Sequence, residues 1–161
     1  MQFVLDFLRA RNLLRLTVAA VFCAGAAGVV WWARRSVLTR RGWAILGAAA
    51  LVYAAIAARL EVPQERLHLV EYGGLALLLR AAFTERNGRL RPAEADRTGR
   101  RTASWTALAV ASAIGVADEL VQGILPNRQY DPRDIGFNVV AAALALAAVE
   151  ALDRVGRRRT G

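Results

Sequence analysis

Two stretches of the sequence gather the polar side chains that could do chemistry. They are HLVEYGG, residues 68–74, and DELVQGILPNRQYDPRDIGFN, residues 118–138. The first holds His68, the only histidine of the chain, three residues before Glu71. On a helix this spacing puts a carboxylate beside the imidazole, where it can orient a group that accepts and delivers protons. Tyr72 follows directly and can hydrogen-bond a ligand.

The second stretch contains two pairs of polar residues with the other helical spacing, four residues. Asp118 and Gln122 are four residues apart, and so are Asp134 and Asn138, so each pair shares a helix face. We therefore predict a polar site formed by three helices. Its candidate catalytic residues are His68, Glu71, Asp118 and Glu119. Its candidate ligand-binding residues are Tyr72, Gln122, Arg128, Asp131, Asp134 and Asn138.

The predicted site has an excess of negative charge. Five carboxylates stand against two arginines, Arg128 and Arg133. Protons, a divalent cation, or a cationic or polyol ligand could balance the remainder. Calcium or magnesium would suit the oxygen donors better than zinc, which favours more than one histidine. No spacing is a metal signature, so we assign no cofactor and no metal ligands and keep a divalent cation as an option.

A simpler interpretation is that Asp118 or Glu119 pairs with Arg128 or His68 and only holds the helices in register. A sharper prediction concerns Arg128. We expect its guanidinium to point inward and contact Asp118, Glu119 or Asp134, because a bidentate fork binds a carboxylate or a phosphate.

The elements that must position these residues are apolar. The chain is 56% hydrophobic, with charge-free runs at Leu16–Ala33 and Gly42–Ala58, each close to the roughly 20 residues that cross a bilayer core. Weaker apolar segments follow at Leu67–Phe83, Ala103–Leu125 and Ile135–Leu152. We predict an all-α bundle of about five transmembrane helices. The alternative is a soluble alanine-rich bundle, which the mean hydropathy of +0.30 favours, but arginines outside the spans lower that average.

The arginines predict the orientation. All 22 basic residues are arginine, and fourteen fall in three segments: residues 32–43, residues 85–102 and the tail after Leu152. The positive-inside rule places these segments in the cytoplasm, together with the C-terminus, and the polar site on the outer side of the plasma membrane. The N-terminus, with three arginines, then faces outward unless the first helix lies in the interface. We predict the longest connection at Glu85–Thr102.

The partner predicted from this pattern is the lipid bilayer. The basic connection has no interleaved aromatic residues on which bases could stack, so we expect no nucleic-acid partner. A cleavable signal peptide is a second interpretation of the N-terminus, but the apolar run continues past its small residues, which favours an uncleaved helix. The sequence gives no indication of the oligomeric state.

The two polar stretches resemble the VanZ-like membrane proteins. That family shows a His with a downstream Tyr, then DExxQ, a Pro-Gly-Arg loop, and an Asp with an Asn four residues later. The matching positions here are His68, Glu71, Tyr72, Asp118, Glu119, Gln122, Pro126, Arg128, Asp134 and Asn138. The resemblance covers about Leu51–Ala148, with Asn127 in place of the usual loop glycine and Ala141 in place of a glycine. It implies a four-helix core at about residues 43–152, an additional helix within residues 1–42 and a basic cytoplasmic tail at residues 153–161.

The resemblance also implies a bacterial cell-envelope protein linked to low-level teicoplanin resistance, without implying a reaction. Our leading hypothesis is a pocket that binds or modifies an envelope lipid or glycan. In it Glu71, Asp118 and Glu119 supply acid or base, and His68 shuttles the proton. One alternative is a non-catalytic structural or interaction module whose polar cluster locks the helices. Another is a proton-coupled transporter, disfavoured because no chain of charges crosses the midplane. Whether the chain is an enzyme stays open.

Overall fold

The computed structural model describes residues 13–35, 38–60, 63–90, 97–125 and 131–157. They form five helices: α1 (Leu13–Arg35), α2 (Arg40–Arg59), α3 (Pro63–Leu90), α4 (Arg97–Ile124) and α5 (Pro132–Arg157). No strand occurs within these described ranges. The predicted all-α class is confirmed.

Three of the helices are long and apolar enough to cross a membrane, judged by length and composition over the described residues. The qualifying ranges are Arg40–Arg59, Thr98–Ile124 and Pro132–Gly156. They match three of the five predicted spans. Helices α1 and α3 cover the other two predicted ranges, and their insertion into a bilayer stays a prediction.

The predicted long connection at Glu85–Thr102 was wrong. Helix α3 continues to Leu90 and α4 already begins at Arg97. Arginine and glutamate are good helix formers, and Arg89 pairs with Glu85 one turn earlier on α3. The polar ends of the two helices therefore stay helical beyond the apolar segments that we had used to place their limits.

Helices α3, α4 and α5 pack against one another and form the centre of the bundle. Their contact at mid-height is built from alanines that are fully buried, with Leu146 beside them; the alanines are Ala76, Ala107, Ala111 and Ala142. Small side chains let helices approach closely, so the interface consists of many contacts between small groups and not of a few large side chains. This packing sets the rotation of each helix and therefore the direction of the polar side chains above and below it.

Helix α2 packs mainly against α5 and also contacts α3. The Tyr53 hydroxyl donates a hydrogen bond to the Ala141 carbonyl at 2.5 Å. A Cβ added at Gly73 of α3 would lie 2.6 Å from this hydroxyl. Glycine at position 73 thus makes room for the contact that joins α2 to the three central helices.

Helix α1 packs against α3 and leaves most of its described surface uncovered. Its exposed apolar side chains include Leu16, Val29 and Trp31. Helix α4 also presents a row of exposed apolar residues, among them Leu120 and Val121. Apolar surface of this extent needs a covering, and lipid tails provide one, so it fits a multi-pass membrane protein.

The arginine-rich segments meet at one end of the bundle. A Cβ at Gly42, near the start of α2, would lie 3.6 Å from Leu152, near the end of α5. Within the segment 85–102, the Asn87 amide of α3 donates to the Gly99 carbonyl of α4 at 3.5 Å. Arg80 of α3, five residues before the second segment, donates to Asp153 of the tail at 2.6 Å, so the described parts of the three segments lie at one end. The assignment of that end to the cytoplasm stays a prediction.

Candidate functional site

The opposite end of the bundle brings the two polar stretches together. The start of α3, the end of α4 and the start of α5 carry His68, Glu119 and Asp134. One donor atom from each of these side chains lies within 4.8 Å of the other two. Three helices thus contribute one imidazole and two carboxylates to a single small volume. We call this group, with Tyr72, Asp118 and Asn138, the acidic pocket.

The pocket has a second layer one helical turn deeper. Tyr72 follows His68 by four residues, Asn138 follows Asp134 by four, and Gly115 precedes Glu119 by four. A Cβ at Gly115 would lie 3.2 Å from the Tyr72 ring and 3.3 Å from Asn138. Glycine on α4 therefore makes room for the aromatic ring and the amide, which fill the space beneath the titratable groups.

Three side chains of the pocket have buried polar atoms without a hydrogen-bond partner among the described residues: Glu119, Asn138 and His68, whose Nδ1 faces Glu71. Glu119 is 0% exposed and Asn138 is 1% exposed. Glu119 Oε1 and both polar atoms of the Asn138 side chain have no hydrogen-bond partner among the described residues. An unpaired buried polar group costs about 1 to 3 kcal/mol, and more when it is charged. Such a cost points to a ligand, an ion or water that these atoms would meet.

Glu119 has one contact, to the backbone that starts α5. The amide of Asp131 faces Glu119 Oε2 at 3.5 Å. Asp131 also caps α5, because its Oδ1 accepts a hydrogen bond of 2.8 Å from the Arg133 amide. Asp131 therefore acts on the pocket through its backbone and the helix start. Its side chain, which the sequence predicts to bind a ligand, accepts the capping hydrogen bond of α5 in the structure.

Asp118, next in sequence to Glu119, has a different environment. The Gln122 amide donates to Asp118 Oδ2 at 3.0 Å, and the Tyr72 hydroxyl reaches the same oxygen at 3.4 Å. The first contact is the predicted one-turn pair on α4. The second joins α4 to α3. Asp118 is thus a hydrogen-bonded carboxylate that links two helices, whereas Glu119 is a buried carboxylate with a free oxygen.

His68 and Glu71 face each other as predicted. His68 Nδ1 lies 3.4 Å from Glu71 Oε2, and the Glu71 side chain is 64% exposed while that of His68 is 15% exposed. The His68 ring also lies near the Tyr72 ring, with 6.0 Å between their centroids. Glu71 therefore stands at the rim of the pocket and His68 inside it.

Arg128 lies outside the described residues, together with Pro126 and Asn127. Its predicted inward orientation stays a prediction. Among the described residues, no arginine forms an ion pair with Glu119 or Asp134.

A second polar cluster, which sequence reasoning missed, lies toward the arginine-rich end. The Arg80 guanidinium donates to Ser104 Oγ at 3.0 Å, to Glu150 Oε1 at 3.4 Å and to Asp153 Oδ2 at 2.6 Å. Ser104 Oγ in turn lies 2.7 Å from Glu150 Oε1. We call these four residues the Arg80 cluster. One signal could have revealed it, because Arg80 is a lone arginine inside the apolar run LALLLRAAF.

The acidic pocket offers two kinds of chemistry. An imidazole beside two carboxylates can move protons to or from a bound molecule. The same three donors can hold a metal ion. Comparisons of the chain with protein-family models, curated proteins and solved structures found no match. The resemblance to the VanZ-like proteins therefore stays a prediction that rests on the residues quoted for it.

Proposed function

We propose that the chain is a multi-pass plasma-membrane protein of the bacterial cell envelope whose acidic pocket faces outward and binds or modifies an envelope lipid or glycan. The proposal includes the kinship with VanZ-like proteins and the link to glycopeptide resistance that this resemblance implies. A divalent cation is included as a group that the pocket could hold with its ligand.

One observation carries the proposal: Glu119 and Asn138 are buried at the end of an alanine-packed bundle with polar atoms that no described residue partners. A cluster that only held helices together would satisfy its own hydrogen bonds, because an unsatisfied network is less stable than an apolar core. Polar atoms left free inside a pocket are instead typical of a site that completes its bonds with a ligand.

Proton transfer is the chemistry that the pocket would supply to a bound ligand. His68 stands between the exposed Glu71 carboxylate and the buried pair Glu119 and Asp134. A proton could pass from the rim to the interior through its two ring nitrogens. Asn138, with one amide donor group and one acceptor, would hydrogen-bond a hydroxyl or a carbonyl of the ligand. Arg128 would clamp an anionic group in this scheme.

A lipid-retention experiment tests the proposal. The chain is purified from bacterial membranes in mild detergent, and the lipids that remain bound are identified by native mass spectrometry. We expect the wild-type chain to retain an envelope lipid that Glu119→Gln and Asn138→Leu lose. Glu85→Gln, an exposed carboxylate on α3 far from the pocket, should behave like the wild type. The same lipid profile in all four proteins would contradict the proposal.

A structural module is the second candidate function. The contact between Tyr72 and Asp118 favours it, since this hydrogen bond joins α3 to α4 and would hold them in register. This alternative predicts that the pocket variants lose stability in proportion to any loss of function. In the proposed function, pocket variants lose the ligand while the bundle stays folded.

A further inference from the structure

We infer that His68, Glu119 and Asp134 form a binding site for one first-row transition-metal dication, with Mn²⁺ and Zn²⁺ as the ions that suit it. The inference deepens the proposed function, because it concerns the same pocket and names the group that would join the chain to its ligand.

The spacing of the donors is the first argument. One atom from each side chain lies within 4.8 Å of the others, yet no hydrogen bond joins any two of the three among the described residues. Three donors that surround a gap without bonding across it leave room for an ion. Metal ligands at about 2.1 Å from an ion lie about 3 to 4 Å apart, so a small inward movement of the side chains would complete the site.

Charge and burial are the second argument. Glu119 is fully buried and its Oε1 is unpartnered, while Asp134 stands beside it with no arginine paired to either among the described residues. Bringing two carboxylates together in a medium of low dielectric is unfavourable unless one of them is protonated or a positive charge lies between them. A dication would balance both carboxylates and bind the oxygen that the fold leaves free.

The donor types decide which ion fits. From the sequence, the oxygen-rich stretches favoured calcium or magnesium. The structure places the imidazole of His68 among the donors. Imidazole favours transition metals, and carboxylates also bind Mn²⁺ and Zn²⁺. Three protein ligands are fewer than a closed structural site uses, so positions would remain for water or for oxygen atoms of a ligand.

Glu71 lies where a carboxylate usually contacts a metal-bound histidine from outside the metal site. Metal-bound histidines usually present their second ring nitrogen to a carboxylate, which sets the orientation of the ring. His68 Nδ1 faces Glu71 Oε2 at 3.4 Å, so Nε2 is the nitrogen that would bind the ion. Glu71 is thus a positioning residue for the metal ligand, and it does not itself touch the ion.

Metal titration of the full chain tests the inference. The protein is purified in detergent, stripped with EDTA, and titrated with Mn²⁺ while free Mn²⁺ is measured by electron paramagnetic resonance. Bound Zn²⁺ is measured separately by inductively coupled plasma mass spectrometry. We expect one ion per chain. His68→Ala, Glu119→Gln and Asp134→Asn should each weaken binding at least about 100-fold, whereas Glu71→Gln should weaken it about 10-fold, the effect of an outer contact.

Two controls protect the result from misfolding and from adventitious binding. Glu85→Gln removes an exposed carboxylate elsewhere on α3 and should bind like the wild type. Size-exclusion profiles identify variants that fail to fold, and the isosteric changes Glu119→Gln and Asp134→Asn decide the matter if His68→Ala aggregates. Three results would each overturn the inference. They are unchanged binding when His68→Ala, Glu119→Gln and Asp134→Asn are combined in one protein, no binding in the wild type, and binding of Mg²⁺ or Ca²⁺ alone.

The lipid-retention experiment, repeated with and without EDTA, separates this inference from the proposed function. Lipid retained in EDTA by a protein that binds no Mn²⁺ or Zn²⁺ would overturn the metal site and leave the proposed function standing. One bound ion without any retained lipid would support the metal site and contradict the proposed function. Lipid that is lost on adding EDTA and recovered with Mn²⁺ would support both.

Discussion

The acidic pocket and the Arg80 cluster lie toward opposite ends of the same three helices and solve the problem of buried charge differently. On α3 the two centres, His68 and Arg80, are twelve residues apart, which corresponds to about 18 Å. The Arg80 cluster pairs a cation with two carboxylates and a hydroxyl. Within the described parts of the chain, the acidic pocket leaves Glu119 Oε1 and the Asn138 amide unpartnered. Alanine packing separates the two regions.

This difference indicates different roles. A cluster that completes its own hydrogen bonds stabilises the fold and has no need of a ligand. A pocket with free buried polar atoms makes the empty protein less stable. Such a loss of stability is typical of sites where a ligand binds those atoms. The comparison therefore predicts that equivalent substitutions at the two ends have opposite effects on stability.

The largest effect should follow from removing the cation at the arginine-rich end. Arg80→Ala removes the guanidinium that pairs with the partly buried Glu150 and Asp153, and breaking a buried pair costs about 3 to 5 kcal/mol. We expect a loss of about 3 kcal/mol, measured by unfolding in detergent. Arg89→Ala, whose exposed partner is Glu85, should cost less than about 0.5 kcal/mol. Equal losses in the free energy of unfolding from the two substitutions would contradict a structural role of the Arg80 cluster.

A pair of isosteric changes compares the two ends directly. Glu150→Gln removes a carboxylate that accepts from Arg80 and Ser104, so we expect it to lower the free energy of unfolding by about 2 kcal/mol. Glu119→Gln replaces a buried carboxylate that no arginine pairs with among the described residues. We expect it to raise the stability of the metal-free protein by about 1 kcal/mol. Thermal unfolding of both proteins after EDTA treatment provides the measurement. A loss of stability in both would contradict the distinction between the two ends.

Filling the second layer of the pocket should disturb the site more than the fold. In Gly115→Ala the new methyl group would lie 3.2 Å from the Tyr72 ring and 3.3 Å from Asn138. Crowding of this kind costs about 1 to 3 kcal/mol, and it would shift both neighbours. Gly74→Ala is the matched control, because nothing lies within 4 Å of its Cβ position. We expect Gly115→Ala to weaken metal and lipid binding and Gly74→Ala to leave both unchanged.

The smallest effect should come from Tyr72→Phe. The lost hydrogen bond to Asp118 is long, at 3.4 Å, and Asp118 keeps its bond from Gln122. We therefore expect a loss of about 0.5 kcal/mol or less. The structural-module alternative needs this contact to hold α3 and α4 in register. A loss above about 2 kcal/mol in detergent unfolding would favour that alternative over a ligand site.

Much of the fold followed from local patterns. Apolar runs of about 17 to 23 residues located all five helices, and arginines marked the connections that share one end. Spacings of three and four residues correctly placed His68 opposite Glu71 and Gln122 beside Asp118. These relations lie within single helices, where backbone geometry alone sets which side chains are neighbours.

Relations between helices could not be obtained in this way. Arg80 and Asp153 are 73 positions apart in the chain, and only the packing of α3 against α5 brings them to 2.6 Å. The limits of α3 and α4 were also missed, because a helix in water can continue past the apolar segment by which we located it.

Asp118 and Glu119 show most clearly where the sequence stops being sufficient. Both were predicted as site residues from one acidic dipeptide, but successive residues on a helix point about 100° apart. The alanine contacts of α4 with α3 and α5 turn Glu119 into the bundle, fully buried, and leave Asp118 at the side with Tyr72 and Gln122. Sequence alone determined that this end of the protein is acidic. Tertiary packing decided which carboxylate is buried with one oxygen unpartnered among the described residues, since that depends on the rotation of a helix against its neighbours.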